Sequence, residues 1–203
     1  MTAPNVGNPT RPAVTNQLRL PRTAALGPGR GGQQRLLIDA PAGAAEIYLH
    51  GATVTSWVPR GGSEVIFTSR QAVFDGATAI RGGIPLCLPE FGVGINGDAV
   101  PKHGWARIAP WRLLTVTSTD GGGVRALLSV SRDRLTALYE VEIGETLRLG
   151  LSLRNEGSEP RTVEAAAHTY LSVHDVTASR ISGLAGAAYR DKPAPHTHAG
   201  PPP

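Results

Sequence analysis

A strict two-residue period of hydrophobicity is the feature that most constrains how this 203-residue chain can fold. Four leucines alternate with polar or small residues in one stretch, Leu147-Arg148-Leu149-Gly150-Leu151-Ser152-Leu153-Arg154. Successive side chains of a β-strand point to opposite faces, so the stretch predicts a strand with one buried face. Similar short stretches between Gly- and Pro-rich turns predict further strands at 45–49, 53–58, 65–67, 111–117, 124–130, 138–143 and 162–168. The sequence therefore predicts an all-β fold, an antiparallel sandwich or barrel.

The two ends of the chain differ in composition from its middle. Residues 1–34 are rich in proline and end in the run Gly27-Pro28-Gly29-Arg30-Gly31-Gly32, and residues 193–203 contain five prolines. The glycine run could be taken for a phosphate-binding loop, but no Gly-Lys-Ser/Thr follows it, so we interpret it as linker. Such segments bury little apolar surface. We expect an unstructured leader over 1–34, one β-domain over 35–192 and an unstructured tail over 193–203.

Charge and cysteine content narrow the class of function. The net charge is +4, but residues 1–35 hold five arginines and no acid, which leaves 15 basic against 16 acidic side chains in the rest. Nucleic-acid binding is therefore disfavoured, because its positive patch normally lies on the folded part. The single cysteine, Cys87, excludes an internal disulfide and suits a reducing compartment, and no stretch of 18 apolar residues exists. We expect a cytoplasmic protein that binds neither nucleic acid nor membrane.

Three short segments carry the candidate functional residues. Arg81 is the single charge in an apolar, Gly- and Pro-rich segment, so it is either a buried ion-pair partner or a fork for phosphate or hydroxyl groups. Lys102, His103 and Arg107 surround Trp105, which makes either a sugar-phosphate wall or a core tryptophan with exposed charges. His168 lies in a strand-like run and is either a buried, satisfied histidine or a proton-transfer group.

Other motifs give no support for hydrolase or metal chemistry. No Gly-x-Ser-x-Gly elbow and no zinc-ligand spacing occurs, and His196-x-His198 lies in the proline-rich tail without a third ligand. We therefore expect no metal site.

Taken in order, the motifs resemble the galactose-mutarotase-like superfamily, and within it the hexose-6-phosphate mutarotase (glucose-6-phosphate 1-epimerase) branch. The resemblance covers about 36–192 and rests on residues 45–57, Phe74-Asp75-Gly76, 79–85, Phe91-Gly92, His103-Gly104-Trp105-Ala106-Arg107, His168-Thr169-Tyr170 and 183–192. It implies a β-sandwich that interconverts the α and β anomers of a hexose 6-phosphate and acts without a cofactor. We expect the chain to be a monomer. By resemblance, His168 would be the catalytic acid, Arg81 and Arg107 would bind the sugar phosphate, and Lys102 and His103 would line the pocket.

Two departures from the family pattern affect this expectation. Glu90 stands where the family usually has tryptophan, which would place a negative charge near the phosphate-binding edge. The family's glutamate base and a substrate-binding aspartate lie beyond the Tyr-x-Asp-Lys segment, where this chain has proline-rich sequence instead. We expect a sandwich that is incomplete at its C-terminal end, with either impaired epimerase activity or carbohydrate binding without catalysis.

Overall fold

The computed structural model describes residues 18–184, 186–190 and 197–198. The strands are β1 Ala24–Pro28, β2 Gln34–Ala40, β3 Gly43–Tyr48, β4 Thr53–Pro59, β5 Leu86–Cys87, β6 Arg112–Ser118, β7 Val124–Arg132, β8 Leu135–Ile143, β9 Leu147–Asn155, β10 Ala166–Ala167, β11 Tyr189–Arg190 and β12 Thr197–His198. The helical segments among the described residues are two 3₁₀ turns, Arg30–Gly32 and Ala106–Ile108. All pairings between these strands are antiparallel, which confirms the predicted all-β class.

Two four-stranded sheets, in the orders β1-β2-β3-β4 and β6-β7-β8-β9, form the sandwich. Buried side chains of both sheets belong to one apolar cluster, with Leu36 and Ile38 from β2 and Leu128 from β7 fully buried. A hydrogen bond also links the two halves, since the Trp57 indole of β4 donates to the Gly144 carbonyl in the turn between β8 and β9 at 3.2 Å. Each large aliphatic side chain buried in this way stabilises the fold by about 1.5–3 kcal/mol.

Burial follows the predicted period of two. Along β8 the buried positions are every second residue: Leu135, Ala137, Tyr139, Val141 and Ile143. Along β9 the leucines are half-buried and the residues between them are exposed, as the alternating pattern predicts. β9 forms one edge of its sheet among the described strands, and the leucines on its inner face are covered only in part.

A second, longer-range pairing joins residues 83–89 to residues 164–170. The amides of Glu164, His168 and Tyr170 donate to the carbonyls of Pro89, Pro85 and Gly83 at 2.8, 2.9 and 3.0 Å. Between them, β10 pairs with β5 at Ala166 and Cys87, in the same register. The strand predicted over 162–168 is therefore present as this ladder, although its regular part is only two residues long.

Three expectations need correction. The predicted leader extends too far, because β1 pairs with β2 from Ala24 to Pro28, and the Arg30–Gly32 turn follows it; residues 1–17 lie outside the described residues. Residues 65–67 make only an isolated bridge from Ile66 to Leu171 rather than a strand. In the predicted tail, Thr197–His198 pair with Tyr189–Arg190, and the other tail residues lie outside the described part.

The chain divides between Leu171 and Ser172 into two compact units, and both four-stranded sheets belong to the first. Among the described residues, no helical segment has the length and hydrophobicity that a membrane-spanning helix requires.

Candidate active site

A cleft of about 400 Å³ opens in the first unit. Its lining residues are Gln71, Val73, Thr78, Ala79, Ile80, Arg81, Pro85, Cys87, His103, Arg107, His168 and Tyr170. Four of the five residues predicted from the sequence are among them. These four come from three separate segments, so the folded chain brings together groups that are up to 87 positions apart.

The long-range ladder explains why His168 reaches the cleft. Directly paired residues of antiparallel strands project to the same face, and so do residues two positions apart. The register pairs His168 with Pro85 and Ala166 with Cys87, so His168, Tyr170, Pro85 and Cys87 share a face. Each of these four residues lines the cleft. Tyr170 was not predicted as a site residue, but the two-residue period from His168 would have indicated it.

His103 is held by the backbone of the neighbouring loop. It has a positive φ of 66°, which is uncommon for a residue other than glycine. Its amide donates to the Gly92 carbonyl at 2.7 Å, and the Gly92 amide donates back to His103 Nδ1 at 3.2 Å. Because an amide can only donate, Nδ1 accepts, and a neutral His103 ring carries its proton on Nε2. The Cys87 Sγ also lies 3.4 Å from Nδ1.

Aromatic contacts fix the His168 ring. Tyr170 stacks on it with ring centroids 4.9 Å apart and an interplanar angle of 22°, and Phe91 lies 6.4 Å away at 26°. His103 meets the same ring edge-on at 6.0 Å. Near-parallel stacking of this kind restricts rotation of the imidazole plane. The half-buried His168 is thus an oriented group in an open cleft rather than a buried core histidine.

Two arginines supply the positive charge of the cleft. Arg107 Nη2 donates to the Lys102 carbonyl at 2.8 Å, while its buried Nε meets no acceptor in the part of the chain that the structure describes. Arg81 is exposed, which excludes the alternative of a buried ion-pair partner. The Lys102 side chain is exposed and does not line the cleft, so the expected pocket role of Lys102 is limited to its carbonyl.

No carboxylate lines the cleft within the described residues. Asp75 lies close in sequence to the lining residue Thr78, but its carboxylate accepts hydrogen bonds from its own turn. The Thr78 amide at 2.6 Å, the Ala77 amide at 2.8 Å and the Thr78 hydroxyl at 2.8 Å all donate to its carboxylate. These bonds, the Thr78 amide first among them, lower the pKa of Asp75 to about 2. The cleft is therefore positive and has donors for an anionic ligand.

The structure bears on two further interpretations of this region. Of the two alternatives for Trp105, the structure supports the core tryptophan, because its side chain is 5% exposed and belongs to the apolar cluster that both sheets share. Glu90 does not lie at the edge of the cleft but lines a different pocket together with Asp98 and Arg161. Gln71 and Val73 line the cleft without any signal in the sequence.

Comparison with known proteins identifies the chain's relatives. The sequence model of the Aldose 1-epimerase family matches residues 34–201. A "Putative glucose-6-phosphate 1-epimerase" of Escherichia coli (strain K12) is 32% identical over 166 residues, which are 77% of this chain and 54% of that protein. A protein of the same name from Cenchrus ciliaris is 35% identical over 164 residues, 72% of this chain and 49% of that protein. The chain thus spans about half the length of the curated relatives it matches.

Solved structures give the same result for the fold. A "putative mutarotase (YeaD)" from Salmonella typhimurium matches with a TM-score of 0.79 at 27% identity, covering 90% of this chain and 62% of that one. The structure of HI1317 matches with a TM-score of 0.74 at 26% identity, covering 90% of this chain and 65% of that one. The fold is therefore that of the galactose-mutarotase-like proteins, as the sequence motifs predicted. The family match over most of its length, together with these relatives, shows that this chain belongs to the aldose 1-epimerase family.

Proposed function

We propose that the cleft binds a hexose 6-phosphate, with glucose 6-phosphate the first candidate, and promotes interconversion of its α and β anomers. The observation that carries the proposal is the meeting of Arg81, His103, Arg107 and His168 in one positive cleft. The names of the curated relatives point to the same substrate class. The single cysteine remains the basis for expecting the reaction in the cytoplasm, and we expect the chain to act as a monomer.

His168 is the proposed acid. In the ring-opening step, the anomeric O1 hydroxyl loses its proton, the C1–O5 bond breaks, and O5 takes up a proton from the imidazolium. Rotation about C1–C2 and closure in the reverse sense give the other anomer. Each positioned proton transfer contributes about 10²–10⁴-fold. The stacked His168 ring suits this role because Tyr170 fixes its orientation while the cleft that it lines stays open to a ligand.

Arg81 and Arg107 are the proposed phosphate ligands. Guanidinium groups bind phosphate through paired, charge-assisted hydrogen bonds. The buried Arg107 Nε, which has no acceptor among the described residues, would gain one from a bound anion. His103 lies beside them and would contribute its Nε2 proton as a neutral donor.

A second candidate is sugar-phosphate binding without catalysis. It is favoured by the cleft's lining, in which the described residues include no carboxylate to accept the O1 proton. In the epimerase proposal that proton goes to water or to a base from outside these residues, which predicts a modest rate for this chain.

Anomer exchange of glucose 6-phosphate, measured by NMR exchange spectroscopy with and without the chain, distinguishes the two candidates. The epimerase proposal predicts acceleration that His168→Ala lowers by at least tenfold. His174→Ala is the matched control, because His174 is an exposed histidine that does not line the cleft. Binding without acceleration, in a chain that unfolds cooperatively, would reject catalysis and leave the binding role. Absence of both would reject the proposed function.

A further inference from the structure

Arg30, in the glycine run that the sequence assigned to a linker, contacts the loop that carries the cleft residues Gln71 and Val73. Its Nη2 donates to the Arg70 carbonyl at 3.1 Å and the Ala72 carbonyl at 3.5 Å. Its guanidinium carbon lies 4.3 Å from the centre of the Phe74 ring. One planar side chain thus holds residues 70–74, the clamped loop, by two carbonyls and one aromatic face.

Successive side chains of the clamped loop lie in two different environments. Ala72 and Phe74 are buried in a small apolar cluster with Tyr48 and Ile80, whereas Gln71 and Val73 are exposed and line the cleft. A backbone held through the carbonyls of residues 70 and 72 has little freedom at residue 71. Fixing the buried side of the loop therefore fixes where Gln71 and Val73 stand in the cleft.

The segment that carries Arg30 is itself tied to the same cluster. The Arg30 amide donates to the Tyr48 hydroxyl at 2.9 Å, and the Tyr48 and Phe74 rings lie 4.8 Å apart. Gly31 has a φ of +61°, and a Cβ added there would overlap the Phe74 carbonyl oxygen. Only glycine permits this approach of the two backbones. The glycine run is thus a packing element that brings Arg30 onto the loop.

We propose that Arg30 is a positioning residue that sets the sugar-facing wall of the cleft through Gln71 and Val73. Its role in ligand binding rests on the proposed function, whereas its ordering of the loop does not. Arg30 contacts neither Arg81 nor Arg107. The bond that joins this region to Arg81 runs from the Ser69 amide to the Arg81 carbonyl at 3.0 Å, outside the two carbonyls that Arg30 holds, so we expect the anion-binding groups to move less than Gln71 and Val73 when Arg30 is removed. The consequence is selective: loss of Arg30 weakens recognition of the sugar ring more than recognition of phosphate.

The test compares Arg30→Ala, Arg30→Lys and Arg35→Gln with the unchanged chain. Arg35 is the matched control because it is an arginine of the adjoining strand β2 whose ion pair is with Glu46. Affinities for glucose 6-phosphate and for inorganic phosphate are measured by calorimetry, and backbone amide exchange of residues 71–74 is followed by NMR. We expect Arg30→Ala to weaken glucose 6-phosphate binding about tenfold, to leave phosphate binding within twofold, and to speed amide exchange in the loop. Arg30→Lys, which lacks the planar fork, should retain only part of the affinity for glucose 6-phosphate. Arg35→Gln should change the affinity for neither ligand.

Each result decides the proposal. Equal weakening of both ligands by Arg30→Ala, or unchanged amide exchange in the loop, would overturn the positioning role. If the unchanged chain binds neither ligand, the proposed function fails, and the exchange rates of residues 71–74 still decide whether Arg30 orders the loop.

Discussion

Replacement of Gly104 by alanine should disrupt the His103 side of the cleft, and the structure sets the size of the effect. Gly104 has a φ of +69°, and a Cβ added there would overlap the Leu88 carbonyl and lie 2.7 Å from the Pro89 nitrogen. The Leu88 carbonyl also accepts the Ala106 amide at 3.0 Å, so relief of the overlap would strain this bond.

Two terms contribute to the expected loss of stability. A left-handed backbone costs an alanine about 1–2 kcal/mol, and forced overpacking costs a further 1–3 kcal/mol. Gly97→Ala separates the two, because Gly97 has a similar φ of +80° but no atom within 4 Å of an added Cβ. Gly104→Ala should therefore lower the free energy of unfolding by about 2–5 kcal/mol, and Gly97→Ala by only about 1–2 kcal/mol.

Urea unfolding of both variants, followed by tryptophan fluorescence, measures the difference directly. Glucose 6-phosphate affinity, measured below the unfolding transition, should fall in Gly104→Ala and not in Gly97→Ala, because only the first displaces His103. Equal losses of stability in the two variants would refute the steric argument and show that the loop yields to the added methyl group at no cost.

Three further predictions follow from single side chains. Tyr139→Phe should leave stability unchanged or raise it by about 1 kcal/mol, because burial raises the pKa of Tyr139 and its buried hydroxyl has no partner among the described residues. Tyr48→Phe should instead lower stability by about 1 kcal/mol, because it removes the bond from the Arg30 amide. Thermal unfolding of the two variants measures whether their effects on stability have these opposite signs. Tyr170→Leu should lower the rate of anomer exchange about tenfold through loss of the ring stacked on the proposed acid, and Tyr170→Phe should retain it; a drop of the same size in Tyr170→Phe would assign the effect to the hydroxyl instead. The depressed pKa of Asp75, about 2 against an ordinary 3.8, stabilises its turn above pH 4, and this contribution should be lost as the pH falls through about 2; a carboxyl ¹³C titration midpoint near 3.8 would contradict it.

The sequence predicted the sandwich because its strands are regular. On β8 and β9 the period of two survives intact, and each strand pairs with its neighbour through a short connection. β1 was missed because Ala24–Pro28 contains proline and glycine and has no alternation; pairing with β2, rather than intrinsic propensity, makes it a strand.

The candidate site was predicted less completely, for the same physical reason. Arg81, His103, Arg107 and His168 stand out because charged and imidazole groups are unusual in apolar, glycine-rich segments. Gln71 has no such context, and the carbonyls of the residues on either side of it accept hydrogen bonds from Arg30, 41 positions earlier. Information of this kind lies in tertiary packing and not in any local pattern.

The ladder between residues 83–89 and 164–170 has a consequence for how the cleft assembles. It closes a chain segment of roughly 80 residues. Folding must therefore offset the chain entropy lost on closing this loop before Pro85, Cys87, His168 and Tyr170 share a face. A partly folded state that contains only the β6–β9 meander therefore has no binding site. Ligand binding and closure of the ladder are thermodynamically linked, so a saturating sugar phosphate should slow amide exchange at His168 and Tyr170 and raise the midpoint of thermal unfolding.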